Sequence, residues 1–283
     1  MIYQRKNKAA PRDFIEAMLP VDRKGMFFDC LKQRFDLIFK CGLILLLVSL
    51  PFLVVNLWSD LTYISLQESA GNDEAAAMMA ALNWIIALIK VPCYALIGIG
   101  IASISRILRQ LIWAEPVFFF YHCKLGIKQN GKRFFAIFLI YGFLNVANHF
   151  VASTLSNSII SYLPIAITIF FFLPIGLYML SETVFYDVRF AKSFLNGLTL
   201  YLKSVLVVLI YVALLYTPLL FALIPYLLIR LLLSVVLILF AVPMFVIAWL
   251  LFSCHMFDKF INPGQYPEII GKGLYKPTDS TQT

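Results

Sequence analysis

The sequence predicts an all-α protein, a polytopic membrane helix bundle of six transmembrane helices with amphipathic cytoplasmic elbow helices. Of its 283 residues, 61% are hydrophobic and only 13% are charged, whereas soluble domains carry roughly 25% charged residues. The apolar residues form six runs of roughly 20, enough for a helix to cross a hydrocarbon core of about 30 Å. The basic residues fall almost entirely in alternate loops between these runs, which places them on one side of the series. Lipid is therefore the environment in which this chain buries its apolar surface.

The six predicted spans are continuous apolar runs. Every backbone polar group in lipid must be satisfied internally, so a spanning segment is a helix or part of a closed barrel. The runs lack the period-2 alternation of barrel strands, which favours helices. The spans comprise residues 36–58, 82–105, 133–155, 159–181, 204–224 and 231–254.

The distribution of Lys and Arg predicts the orientation. Twenty-one of the 23 basic residues lie on one side: before the first span, at its inner end (Lys40), in the loops 106–133 and 183–203, or after the sixth span. The loop 59–81 carries four acids and no cation. By the positive-inside rule, we expect both termini to be cytoplasmic. The net charge of +8 then reflects topology, and we expect no nucleic-acid partner.

The sequence predicts three parts along the chain. Residues 1–24 form a polar cytoplasmic segment, 25–258 the six-span membrane domain and 259–283 a cytoplasmic tail. Residues 25–34 mix aromatic and basic side chains, as a helix lying in the membrane interface does. In the acidic loop, a Gly-Asn turn followed by two acids and an Ala/Met run predicts a helix that begins near Asn72 and continues into the second span.

The two basic loops resemble each other and form the candidate cytoplasmic elbows. Glu115 precedes Gly126 in the first, and Glu182 precedes Gly197 in the second. In both, a lysine follows the glycine by six residues, although the glutamate-to-glycine spacing differs by four. Duplication of a helix pair and chance similarity both explain this pattern. We expect the glutamates to pair with neighbouring arginines, and contact with a cytoplasmic partner is the alternative.

One cation lies out of place. Lys90 falls about eight residues, or about 12 Å, inside the outer end of the second span, where a charge costs on the order of 3 kcal/mol. Asn145, Asn148 and His149 share one face of the third span. Together with Lys90, and with Asn56 at similar depth, they form a candidate polar cavity open to the outside. Snorkelling of the lysine stem and interhelical hydrogen bonding are the structural alternatives.

Five of the six spans contain proline, and signatures of catalysis are missing. Prolines kink helices and can open a cavity, although they also occur in inert bundles. The three histidines are isolated, and no metal-ligand spacing, P-loop or GxSxG motif occurs. We therefore expect a non-enzymatic protein without cofactor or metal.

Residues 111–135, LIWAEPVFFFYHCKLGIKQNGKRFF, resemble the inner-loop motif of the YesL-like family of bacterial integral membrane proteins. The matching positions are Glu115, Phe118, Phe119, Phe120, Lys128, Asn130 and Lys132. Ala114 replaces the small residue, typically glycine, that precedes the acid in the family. The resemblance implies a multi-span bacterial protein often encoded beside carbohydrate ABC transporters, and it supplies no site residues.

Two functions follow from these observations. The first is an accessory, assembly or regulatory partner of a carbohydrate uptake system, in contact with ABC-transporter permease subunits. The alternative is a small solute transporter or channel that uses the outward-facing polar cavity. A permease subunit itself is disfavoured, because its inner loop places a glycine about six residues after the glutamate, whereas Gly126 follows Glu115 by 11.

Overall fold

The computed structural model describes residues 19–155 and 159–275. Within these ranges the chain forms helices and turns without any strand. The α-helices are α1 (Arg23–Gln33), α2 (Phe35–Ala70), α3 (Asn72–Ile112), α4 (Phe119–Thr154), α5 (Leu163–Ile167), α6 (Leu173–Phe185), α7 (Phe190–Lys203), α8 (Val205–Leu215), α9 (Leu227–Val236), α10 (Val242–Phe260) and α11 (Asn262–Gln265).

Six helical stretches are long and apolar enough to cross a membrane, which confirms the predicted all-α polytopic bundle. Each observed stretch contains or closely matches one predicted span. They are Phe35–Ser69, Asp73–Ile112, Phe119–Thr154, Ile159–Phe185, Val205–Leu223 and Leu227–Phe260.

The first two long helices extend beyond their predicted spans. α2 has 36 residues and α3 has 41, so at 1.5 Å per residue they are about 54 and 62 Å long. They are joined at Gly71, whose φ of +83° lies in the left-handed region that favours glycine. α3 begins at Asn72, as predicted, and acids at Asp73 and Glu74 stabilise its N-terminus.

The two elbows differ in the structure. The second is a separate helix, α7, which ends at Lys203 and has one face formed by the buried residues Ser193, Gly197, Leu200 and Tyr201. The first is not separate, because α4 runs without interruption from Phe119 to Thr154. No proline occurs in this stretch, and its first half is held by packing along α3. The predicted first elbow is therefore the leading part of a spanning helix.

The fourth and sixth spans each contain a π-helical turn. These turns are Thr168–Phe172 and Leu237–Ala241, and each ends two residues before a proline, Pro174 or Pro243. Because proline has no N–H to donate to the preceding turn, the helix before it must adjust, and a wider turn is one solution. The fifth span continues from α8 into a 3₁₀ segment, Thr217–Leu223.

One end of the bundle is tied together by contacts between residues far apart in sequence. The Arg23 guanidinium lies 2.9 Å from the Asp258 carboxylate and donates to the Lys272 carbonyl at 3.0 Å. The backbone N–H of Tyr275 donates to the Pro20 carbonyl at 3.0 Å. We call this end, formed by α1, residues 113–118, 186–189 and 261–275, the basic end. The opposite end carries the Gly71 turn.

The α3–α4 pair is packed closely around Gly126. A Cβ built there would lie 2.7 Å from the Ala102 carbonyl oxygen and 2.9 Å from Cβ of Arg106. Helix pairs in lipid gain stability mainly from such close packing, because lipid tails are as apolar as the side chains.

Replacing Gly126 with alanine should therefore destabilise the protein by about 1–3 kcal/mol through overpacking against the α3 backbone. Gly131→Ala on the same helix is the matched control, because its Cβ would meet only Ile127 Cγ2 at an ordinary 3.7 Å. We expect it to be neutral or stabilising, since alanine has the higher helix propensity. Thermal unfolding in detergent measures both variants, and equal transition temperatures would refute the packing argument.

Candidate functional site

The structure places Lys90 beside an acidic and an aromatic neighbour. Its side chain is half-buried, and Nζ lies 5.7 Å from the Phe52 ring centroid. The Asp60 carboxylate is close enough to attract the ammonium electrostatically. Asp60 also lies 3.2 Å from Arg230. One carboxylate thus lies near both Lys90 and Arg230, which lowers the cost of placing these cations there.

The other members of the candidate polar cavity lie on α4. Asn145 and Asn148 are half-buried and His149 is exposed. His149 is close enough to Lys90 for the two to interact electrostatically. The buried Oδ1 of Asn148 has no hydrogen-bond partner among the described residues. The structure thus brings Lys90 and His149 together, while an outward-facing cavity at these residues stays a prediction.

A different cavity, of about 330 Å³, lies at the centre of the bundle. All six spans contribute to its wall, which is mainly aliphatic and aromatic. Tyr94 packs against Phe52 and Tyr141, with ring centroids 5.2 and 5.1 Å apart. Tyr141 and Tyr216 both line the same cavity. The polar groups in the wall come from Ser49, Tyr94, Ser105, Tyr141, Ser181 and Tyr216.

The irregular helical segments of the second half of the chain border this central cavity. Phe172 and Ile238 come from the two π-helical turns, and Pro218 comes from the 3₁₀ segment. Wide turns of this kind often occur at functional sites. The prolines are visible in the sequence, whereas the cavity residues are not, because nothing in the sequence shows that three irregular segments meet.

Glu115 pairs with a residue that the sequence did not suggest. Its Oε1 lies 2.6 Å from Nζ of Lys272, in the C-terminal segment. The Lys272 ammonium and the Arg109 guanidinium each lie 4.1 Å from the Trp113 ring. Arg106 and Arg109, the expected partners, are close enough for electrostatic attraction. Glu115 thus fastens the C-terminal segment to the α3–α4 turn.

Glu182 is a buried carboxyl inside α6. Only 2% of the residue is exposed, and its Oε1 accepts a hydrogen bond from Nδ2 of Asn196 at 2.5 Å. Its Oε2 has no partner in the described part of the chain. The pairing with Arg189 that the sequence suggested is replaced by this amide contact, because Asn196 lies on the face of α7 that packs against α6.

The elbow glycines have the same role, but the glutamates do not. Gly126 allows α4 to approach α3, and Gly197 allows α7 to approach α6, where its Cβ would lie 3.2 Å from the Ile175 carbonyl oxygen. Glu115 lies in the turn after α3, whereas Glu182 lies within α6. The similarity of the loops therefore extends to helix–elbow packing and not to the environment of the acids.

Two side chains at the basic end are kept protonated by burial. Burial raises the pKa of the Cys30 thiol to about 12, and the neighbouring Asp29 carboxylate adds to the shift. Burial also raises the pKa of Tyr186. The Tyr186 hydroxyl donates to Oδ1 of Asn262 at 2.5 Å, and its ring stacks on Tyr266 with centroids 4.7 Å apart. Tyr186 therefore acts as a donor that holds the C-terminal segment.

No family model, curated protein or solved structure matches this chain. The resemblance of residues 111–135 to the YesL-like family therefore stays a prediction. Within residues 19–155 and 159–275, no group of three or more His, Cys, Asp or Glu side chains is arranged to hold a metal ion.

The Glu182–Asn196 contact yields a stability prediction. Asn196→Leu should lower the free energy of unfolding by about 1–3 kcal/mol, because it leaves a buried acceptor without its donor. Adding Glu182→Leu should recover much of that loss, since both polar partners are then gone. Thr199→Ala, at an exposed site on α7, is the control. Strictly additive losses in the double variant would show that the two side chains are not coupled.

Proposed function

We propose that this protein is a non-enzymatic accessory, assembly or regulatory partner of a solute-uptake system in the bacterial cytoplasmic membrane. In this proposal both termini, and hence the basic end, face the cytoplasm. The uptake system is one for carbohydrates, and the partners are ABC-transporter permease subunits. The carbohydrate and permease parts of the proposal rest on the YesL-like resemblance of residues 111–135.

The observation that carries the proposal is the construction of the basic end. Its parts are joined by ion pairs, hydrogen bonds and stacked rings, including Arg23–Asp258, Glu115–Lys272 and Tyr186–Tyr266. A surface braced in this way loses little conformational entropy when it binds a partner.

Aromatic side chains project from this braced surface. Phe118, Phe120 and Tyr121 are 60, 84 and 64% exposed. Exposed aromatic residues are typical of binding sites and also of membrane interfaces. The accessory function requires that these three residues contact a partner, whereas a purely structural function does not. The two functions can therefore be distinguished by replacing these residues.

Affinity purification from gently solubilised membranes tests the accessory function. We expect permease subunits to co-purify with the wild-type protein and to be lost with the double variant Phe120→Ser, Tyr121→Ser, because polar side chains there remove apolar contact area. Tyr162→Ser is the matched control, since Tyr162 is an aromatic residue of similar exposure, 69%, at the opposite end. Equal recovery of permease subunits with all three proteins would contradict a docking role for the aromatic residues.

The central cavity favours a second candidate, a small transporter. Purification of the protein alone, together with uptake of a labelled disaccharide into liposomes, would overturn the accessory proposal in its favour. The same assay locates the site. Gly176→Leu should block uptake through the central cavity, into which Gly176 faces, whereas Lys90→Met and His149→Leu should block uptake only if the predicted polar cavity is the route.

Labelling of introduced cysteines tests the orientation. In a cysteine-free background, a membrane-impermeant maleimide added to intact cells should modify Glu68→Cys but not Lys128→Cys. Both positions are exposed, one near the Gly71 turn and the other on the leading part of α4. Lysis of the cells should make Lys128→Cys reactive and so serve as the control. Labelling of Lys128→Cys in intact cells would show that the orientation is the reverse of the proposed one.

A further inference from the structure

A second cavity, of about 420 Å³, lies at the basic end between α3, α4 and the C-terminal end of α6, and its wall is largely polar. Three arginines contribute to its wall: Arg106 and Arg109 from α3, and Arg133 from α4. Asn130 lies one helical turn before Arg133 and also lines the cavity. The cavity differs in place and in character from the central cavity, which is mainly apolar.

Positive charge in this cavity exceeds the negative charge available to it. Arginine stays protonated in proteins, so the wall carries three positive charges. The one acid in the wall is Asp187, whose side chain is fully exposed and lies 3.7 Å from Arg133. Glu115 lies near Arg106 and Arg109, but it is already bound to Lys272 at 2.6 Å.

Several donors at the cavity have no acceptor. The Nε atoms of Arg106 and Arg109 and Nδ2 of Asn130 are buried without a hydrogen-bond partner in residues 19–155 and 159–275. Asn130 is 4% exposed, so solvent does not compensate its amide. Buried donors, above all charged ones, are costly when they are left unpaired. These atoms are themselves covered, so what faces the cavity is the excess of positive charge on the guanidinium groups, and that excess favours an anion there.

Capping of α6 accounts for only part of this arrangement. An NH1 group of Arg109 donates to the Val184 carbonyl at 2.8 Å, in the last turn of α6, where cations are favoured by the helix dipole. Its Nε remains without a partner after that bond is made. Asn130 and Arg133 belong to α4 and are not needed for the cap.

We propose that the arginine cavity binds a phosphate group. Guanidinium groups bind phosphate through parallel, charge-assisted hydrogen bonds, and three of them line the cavity together with the Asn130 amide. The volume exceeds that of one phosphate, so a small organic group is accommodated beside it. A soluble phosphorylated molecule and the headgroup of an anionic lipid have this chemistry in common. The inference does not depend on the accessory function or on the orientation.

Calorimetric titration of the full-length protein with inorganic phosphate, in maltoside detergent, tests the site. Arg133→Gln should weaken phosphate binding about tenfold or more, as expected for loss of one charge-assisted hydrogen bond. Lys132→Gln is the matched control, because Lys132 is the exposed neighbouring cation outside the cavity wall, and its affinity should equal that of the wild type. Asn130→Ala is a second variant that also weakens binding without changing the charge.

A further titration distinguishes a lipid headgroup from a soluble phosphorylated molecule as the source of the phosphate. With phosphatidylglycerol added to the micelles, a loss of phosphate affinity in the wild type identifies a lipid headgroup as the occupant. Unchanged affinity identifies a soluble phosphorylated molecule. Absence of phosphate binding by the folded wild-type protein in pure detergent would overturn the site, as would equal weakening by Arg133→Gln and Lys132→Gln. Melting curves of each variant establish that it is folded.

Discussion

The close approach of α3 and α4 is the constraint on which the rest of the structure depends. At Gly126 the missing side chain admits the α3 backbone, and at Gly142 a Cβ would lie 3.1 Å from Cα of Val91. In lipid the hydrophobic effect does not hold helices together, so this backbone contact has to supply the association. The same helix contact also positions basic side chains at both ends of α3. Arg106, whose Cβ lies over Gly126, is directed to one end, and Lys90 lies beside Val91 towards the other.

The two ends of the bundle solve the problem of charge differently. At the opposite end, Asp60 forms an ion pair with Arg230 and also attracts Lys90, so the two displaced cations share one nearby acid. At the basic end, Glu115 is bound to Lys272, and the arginines behind it keep unpaired donors. Compensated charge is typical of structural roles, while uncompensated charge in a cavity points to a ligand. This contrast makes the basic end the better candidate for function.

Much of the fold could be predicted from sequence, because lipid imposes simple rules. The length of each apolar run predicts a span, and the Gly-Asn turn with its following acids predicts the start of α3 at Asn72. The continuity of α4 could not be predicted in the same way. Glycines at 126 and 131 are ordinarily signs of a break, and only the packing of Gly126 against α3 shows that the helix continues.

The candidate site was less predictable, because its contacts join residues distant in sequence. Glu115 and Lys272 are separated by 157 positions, and Arg109 and Val184 by 75. The local pattern suggested arginine partners for both glutamates, and the structure gives Glu182 an amide from α7. The arginines are visible in the sequence, but there their pattern indicates only the orientation in the membrane. Their convergence on one cavity depends on how α6 ends beside α3.

Arg109 connects the arginine cavity with the surface at the basic end. The same guanidinium lines the cavity, donates to the Val184 carbonyl and lies over Trp113. The other cation over that ring is Lys272, which holds Glu115 and thereby the C-terminal segment. In the proposed complex, a phosphate held by the Arg109 guanidinium would fix the plane of that group and with it the stacked arrangement around Trp113. Under the phosphate proposal, occupancy of the cavity would therefore be linked to order in the C-terminal segment through one side chain, and a ligand at the arginines would stabilise the surface on which the proposed accessory function depends.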